Sequence, residues 1–381
     1  MADAPVLIVF LGGMAGSPVE DLVGGALAEA ALDLLEEGLE TDAFAGAVLV
    51  SDSDVLADRL PPAAVLDRDT EPFHFGRRLA SIIAERGIEK PVYAGAGGVP
   101  LLRGSDLAAV ASHLREADGI VVSNNYFSAD LIAFSPGEAI QHIEPPAGDN
   151  LLPRLLHDQA GLESRPLPRS SATQFNIDSP ADLAILKLAG GAGPHLTNLI
   201  AGLEFDLSAH RGLLSCLVDP QAEVLVAGRV GSQVWPYLES ETACRLRVYS
   251  EERGMRAAGR DASGQARSLL AFHLREVGCR RFFAELGELA DAVCLDTRPL
   301  LAHLGIKASR ADRFWSDLGC PEKIQDPLLQ EFTQAAMDAS VPVVLGGHSQ
   351  VAGGLMLLTE AAWREEDSRK LGLEAAETDS R

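Results

Sequence analysis

Glycine-rich strand endings, and the polar residues beside them, hold most of the chemistry this sequence could perform. LGGMAGS (Leu11–Ser17) ends an apolar run with Gly12, Gly13, Gly16 and Ser17. Backbone N–H groups in such a loop can approach phosphate oxygens closely. SNNYFSADL (Ser123–Leu131) gathers Asn124, Asn125 and Asp130 in a polar turn, and NIDSPADL (Asn176–Leu183) sets Asn176 and Asp178 before a helix start. Later come VAGRVGS with Arg229, YSEERGMRAAGRD with Arg253, CLDTRPLLAH with Asp296 and Arg298, and VVLGGHSQVAGGL with His348 and Ser349. Strand, glycine pair and polar residue at a helix start is how parallel sheets build anion sites. If these loops adjoin, Arg229, Arg253 and Arg298 suit a phosphate or carboxylate. No G-x-S-x-G elbow surrounds Ser349, which argues against a serine triad.

Each motif also has a plainer reading. Ser179-Pro180 is good helix-start chemistry with or without a ligand, Asn124-Asn125 is a turn signal, and Gly12-Gly13 turns the chain. GGHS reads equally as a tight turn capped by Ser349, and the arginines as partners for surface acids.

The elements that must position these residues alternate. Strands are expected at Val6–Leu11, 47–50, 92–94 and 119–122, with helices at 21–40, 75–86 and 105–116. A strand or hairpin follows within 128–144, then a helix at 151–159. A second series has strands at 224–227, 245–249 and 341–345, with helices at 266–277 and 327–339. This pattern predicts an α/β fold: a mostly parallel, Rossmann-like sheet with helices on both faces, plus a second α/β domain. The boundaries read as 1–205, 206–362 and a charged, solvated tail at 363–381.

Composition narrows the function. With 55 acidic against 32 basic residues, the formal charge of −23 repels phosphate backbones and anionic membranes, so no nucleic-acid partner is expected. No apolar run reaches the roughly 18 residues of a membrane span, and no basic stretch precedes Val6, so the chain reads as cytoplasmic. Five cysteines without a CxxC pair read as reduced thiols.

The first ~190 residues resemble the GT-A-like nucleotidyltransferases, and among them the guanylyl- and cytidylyltransferases of cofactor biosynthesis. The resemblance rests on LGGMAGS, on the strand-PLL-x-x-x-D-L pattern of YAGAGGVPLLRGSDL (Tyr93–Leu107), on SNNYFSADL and on NIDSPADL. The last is similar to the D-I-D-T-P-x-D-L stretch that closes the family's catalytic half. The resemblance implies a GT-A-type sheet and a nucleotide bound at Gly12, Gly13, Gly16, Ser17, Asn124 and Asn125. It implies Asn176 and Asp178 as catalytic residues, with Asp178 a ligand of Mg²⁺. Two departures stand out. No Lys or Arg precedes Arg59, and Gly97, Gly98 or Val99 stands where the family keeps a metal-binding Asp.

The leading expectation is therefore a nucleotidyltransferase-like protein that transfers or binds a nucleotide, or a degenerate relative of one. The alternative places the site at Arg229, Arg253, Asp296, Arg298, His348 and Ser349, recognising a phosphorylated or carboxylated metabolite, with the first domain as scaffold. A third reading is an interaction protein that forms a homodimer.

Overall fold

In a computed structural model, the structure describes residues 4–69 and 72–372. The chain divides into two compact units. One comprises Met1–Gly16, Asp21–Ile177 and Gly191–Gly202, and the other Ser17–Glu20, Asp178–Gly190 and Leu203–Arg381. The segment Asp178–Gly190 thus groups with the second unit.

The first unit is built on seven strands: β1 (Val6–Leu11), β2 (Gly46–Ser51), β3 (Ala64–Arg68), β4 (Pro91–Gly95), β5 (Ile120–Ser123), β6 (Leu131–Ser135) and β7 (Glu163–Pro166). They lie in the order β3-β2-β1-β4-β6-β5-β7, and all pairings are parallel except those of β6 with β4 and β5. Alternation along β1 sends its side chains to two cores. Leu7, Val9 and Leu11 meet Ala28, Leu32 and Leu35 of the helix Pro18–Leu39 and Leu107 and Val110 of the helix Gly104–Glu116. Ile8 joins Phe75, Leu79 and Ile82 of the helix Phe75–Arg86 on the opposite face. Both faces are covered, which is why these strands read as continuous apolar runs.

Sequence neighbours of β1 lie on both sides of it, with β2 on one side and β4 on the other. The strand order therefore reverses between β1 and β4, and the loops leaving their carboxyl ends flank a crevice of the kind where open α/β sheets bind ligands.

The second unit repeats the device with a fully parallel sheet of β8 (Glu223–Gly228), β9 (Arg245–Ser250), β10 (Ala292–Asp296) and β11 (Val343–Gly346), ordered β11-β10-β8-β9. Here the order reverses between β8 and β10. Leu225, Val293, Leu295 and Leu345 pack on Phe282, Phe283, Leu329 and Phe332. Fully burying such side chains contributes roughly 1.5–3 kcal/mol each. β9 is an edge strand whose side chains are mostly exposed.

The stretch from Trp363, expected as a solvated tail, is helical to Leu371 as the end of the helix Leu355–Leu371. Trp363 Nε1 donates to the Glu241 carbonyl at 2.6 Å, Arg364 to that of Ala189 at 2.6 Å, and Lys370 pairs with Glu366 at i,i+4. Two long-range hydrogen bonds and the local i,i+4 pair thus hold a helix of mixed charge. Residues 373–381 of the expected tail lie outside the described residues. Among the described residues, no helix is long and apolar enough to cross a membrane, and all five cysteines are free.

Candidate functional sites

In the first unit the glycine loop leaves β1 beside the end of β2. A Cβ built on Gly12 meets nothing within 4 Å, whereas one on Gly13 would come 2.9 Å from the Asp52 carboxylate. The loop therefore faces an acid. Gly16 has a φ of 133°. Ser17 is occupied locally, its hydroxyl donating to the Glu20 carboxylate at 2.7 Å. Bases that follow the loop in sequence are engaged elsewhere. Arg59 pairs with Glu29, Arg68 with Asp54, Arg78 with Asp67 and Asp69, and Arg103 with Glu37 while donating to the carbonyls of Gly191 and Ala192.

The asparagines organise their own turn. Asn124 is buried; its Oδ1 accepts the N–H groups of Asp130 and Leu131, and its Nδ2 donates to the Thr173 carbonyl. Asn125 Oδ1 accepts the Phe127 N–H at 3.1 Å, closing an Asx turn. Asn124 thus holds the start of β6 in place, and with it Asp130.

That placement bears on the missing carboxylate at the end of β4. A Cβ on Gly97 would lie 2.3 Å from Leu27 Cδ2, and Gly97 also accepts the Ile177 N–H through its carbonyl at 2.8 Å. A Cβ on Gly98 would lie 2.5 Å from the Cβ of Asp130. At Gly97 the Leu27 side chain would have to move, while at Gly98 the Cβ of Asp130, fixed by its own backbone, leaves no room without backbone movement. The space a side chain at position 98 would enter is taken by Asp130, immediately before the neighbouring strand β6. Sequence reasoning saw Asp130 but had no means of placing it beside Gly98.

In the second unit, the residues flagged at three strand ends come together at the reversal point. Asp296 ends β10 fully buried. Its Oδ2 accepts from Arg229 Nε at 2.6 Å and from the Arg229 backbone N–H at 3.1 Å. Its Oδ1 accepts from Arg229 Nη2 and the Arg298 backbone N–H, each at 3.1 Å. Burial would raise its pKa, but Arg229, then Arg298 and His348, outweigh this and hold it below the ordinary value. With these donors in place, Asp296 clamps the loops after β8 and β10.

Arg298 forms a bidentate pair with buried Asp317 at 2.7 and 2.6 Å. Burial pulls the Arg298 pKa down, and the Asp317 and Asp296 carboxylates more than reverse it, so the guanidinium stays charged. Asp317 escaped sequence analysis because the RADRFWSD helix that carries it is mostly polar and buries Asp317 beside Phe314.

His348 Nδ1 lies 3.0 Å from the Arg229 carbonyl. A carbonyl only accepts, so Nδ1 carries the proton and Nε2 keeps its lone pair. Burial first, then the Arg229 charge, lower its pKa and keep it neutral. Ser349 is buried behind it. Arg253 is exposed and has no ion pair among the described residues.

The buried acid of NIDSPADL is Asp182 rather than Asp178. Asp178 is exposed and gives its backbone N–H to Asp182 Oδ2 at 2.9 Å. The same oxygen accepts the Ser179 N–H and hydroxyl, while the buried Oδ1 has no hydrogen-bond partner among the described residues. Burial, reinforced by the Asp178 charge, raises the Asp182 pKa to about 8. Among the described residues, no group of three or more His, Cys, Asp or Glu is arranged to hold a metal ion.

No family pattern and no curated protein matches the sequence. Among solved structures, the chain is similar to a candidate nucleotide-diphospho-sugar transferase from Desulfovibrio desulfuricans. The two are 15% identical over 53% of this chain and 99% of that one, with a TM-score of 0.40. It is similar to a cytidylyltransferase from Leptospira borgpetersenii (13% identity, 52% and 92% covered, TM-score 0.37). A third is the CMP:2-keto-3-deoxy-manno-octonic acid synthetase complexed with CTP (15% identity, 47% and 95% covered, TM-score 0.33).

Proposed function

We propose that the first unit binds a nucleotide as its magnesium complex at the carboxyl ends of β1 and β4, in the manner of the nucleotidyltransferases its motifs resemble, and passes the nucleotidyl group to a small acceptor. The observation that carries this reading is the position of Asp130. Its side chain starts 2.5 Å from where that of an aspartate at position 98 would start. On this reading the carboxylate that the family's pattern requires at this strand end is supplied by Asp130, immediately before β6.

The donor set fits a hard cation. Mg²⁺ takes oxygen ligands and commonly needs only one or two carboxylates besides the substrate's phosphates, so no three-residue cage is required. Asp130 would supply a carboxylate. When bound, the ion neutralises phosphate charge and orients the α-phosphate for in-line attack. The chain's own residues account for the dependence on a cation. The loop carries no base and faces Asp52, so a triphosphate bearing about four negative charges would be repelled unless a cation accompanied it. The open face at Gly12 leaves room for backbone approach.

Thermal unfolding with GTP, CTP, ATP, UTP and nucleotide sugars, each with and without Mg²⁺, tests this. One nucleotide should raise the transition only with Mg²⁺, and Asp130→Asn should abolish that shift. Absence of a shift with every nucleotide at millimolar concentration would refute the reading.

A further inference from the structure

A cavity of about 180 Å³ lies within the second unit, beside β11. Its apolar walls are Ala184 of the helix Pro180–Ala189, Trp315 of the helix Arg310–Asp317, Leu318 just beyond it, and Val343 and Leu345 of β11. His210, in the first turn of the helix Ser208–Leu217, also lines it. That ring is buried, with neither nitrogen partnered among the described residues. Cavities that stay empty are apolar throughout, and this one is not.

Charge gathers where exposed residues join the lining. Glu204, Asp206 and Lys323 all line the cavity, all are exposed, and none has an ion pair among the described residues. Asp206 accepts the Ser208 N–H at 2.9 Å, and its bonds to Ser208 hold its pKa below the ordinary value. The Lys323 ammonium sits 4.1 Å from the centre of the Trp315 ring, a contact that steadies a long side chain at the mouth. Asp317, also in the lining, is committed to Arg298 and adds no free charge.

We propose that this cavity binds a free α-amino acid with an apolar side chain. The ligand's ammonium meets Glu204 and Asp206, its carboxylate meets Lys323, and its side chain enters the cavity. Carboxylates and an ammonium at one mouth, unpaired with each other, complement a zwitterion better than an ion of either sign. A cavity of about 150 Å³ holds benzene. One of about 180 Å³ therefore admits a side chain of isobutyl or benzyl size. The apolar walls reject a charged side chain, which would lose its hydration there without gaining a partner. Every residue of the site belongs to the second unit, so it is independent of the nucleotide reading.

The test is calorimetric titration of the full chain, at constant ionic strength, with L-leucine and L-phenylalanine. At least one should bind, and the tighter is then compared with glycine, with its own amide and with its deaminated acid. Glycine should bind at least about tenfold more weakly, because side-chain burial supplies most of the affinity. The amide, which lacks the carboxylate, and the acid, which lacks the ammonium, should each bind at least about threefold more weakly, the scale of an exposed ion pair. Lys323→Gln should weaken the amino acid by about the same factor and leave the amide unchanged. Glu204→Gln combined with Asp206→Asn should weaken amino acid and amide alike. All three positions are exposed, so these variants should keep the parent's circular dichroism. Arg281→Gln, in a surface pair with Glu285, controls for net charge. No binding of either amino acid at millimolar concentration would overturn the proposal. So would an amide or deaminated acid that binds as tightly as the amino acid, or charge variants with the affinity of the Arg281 control.

Discussion

Asp182→Asn isolates a single buried proton. In the native unit Asp182 is fully buried, and its Oδ2 takes three donors while Oδ1 takes none among the described residues. Its pKa rises from 3.8 to about 8 through burial and the Asp178 charge. The folded value lies above the unfolded one, so the folded state keeps a proton that the unfolded chain has released. The stability this contributes is complete below about pH 4 and is lost as pH climbs through 8. Each pH unit in that window costs about 1.4 kcal/mol. Asparagine keeps an oxygen for the three donors, places an amide where the protonated oxygen was, and does not titrate. Urea denaturation of both proteins should therefore show the variant gaining about 4 kcal/mol on the parent between pH 5 and pH 8. Trp235, Trp315 and Trp363, the chain's three tryptophans, all lie in the second unit, so their fluorescence reports its unfolding directly. A stability difference that stays constant across that range would mean Asp182 is ionised in the folded state, and the reasoning would fail.

Three further outcomes follow from the same geometry. His210 is buried with both ring nitrogens unpartnered among the described residues, beside a cavity of about 180 Å³, and burial lowers its pKa to about 4 against the opposing pull of Asp206. Its folded value lies below the unfolded one, so stability is complete above pH 6.5 and falls as pH drops toward 4. His210→Phe should remove up to about 3 kcal/mol of that acid-side loss, read from urea midpoints at pH 4.5 and pH 7. Arg229→Met strips the side-chain partner from buried Asp296 and should cost about 3–5 kcal/mol by urea denaturation, with Asp296→Asn in the same chain recovering much of it. Gly98→Asp should destabilise the first unit by about 1–3 kcal/mol through overpacking against Asp130, measurable by circular dichroism melting. Combining it with Asp130→Gly should recover part of the loss, and strict additivity in that double variant would rule out the steric explanation.

The parts of the fold that could be read from sequence are those where burial is two-sided. Val6–Leu11 is a strand as expected because a central parallel strand must be apolar on both faces, and the helix Phe75–Arg86 ends where Gly87 takes a left-handed turn. The strands β3 and β7 escaped detection for the complementary reason. They lie at the sheet edges with largely exposed or half-buried side chains, and their sequences AVLDR and ESRP carry charge where a buried strand would carry Val or Ile. The helix Arg310–Asp317 inverts the usual signal altogether, since Asp312, Ser316 and Asp317 are among its buried residues. Periodicity reports where apolar groups gather and is silent where the interior is polar.

The same distinction governs the sites. Asp296, Arg298, Arg229 and His348 were visible because each follows a strand, and chain connectivity alone brings strand ends in a parallel sheet to one side. What each residue is free to do was not visible. Asn124 has the composition of a ligand-binding residue, yet its side chain is spent on backbone groups, and Asp296 has the composition of a catalytic acid, yet its oxygens hold two loops. Conversely, Gly98 reads as a lost carboxylate until the neighbouring strand is placed beside it. On the proposed reading, a glycine whose missing side chain is replaced in space by Asp130 differs physically from one that leaves a hole. The first keeps a negative charge at the strand end, and the second removes it. Sequence alone records only the removal, so an aspartate lost at one position argues against metal-assisted chemistry only after the strands on either side have been searched for its replacement.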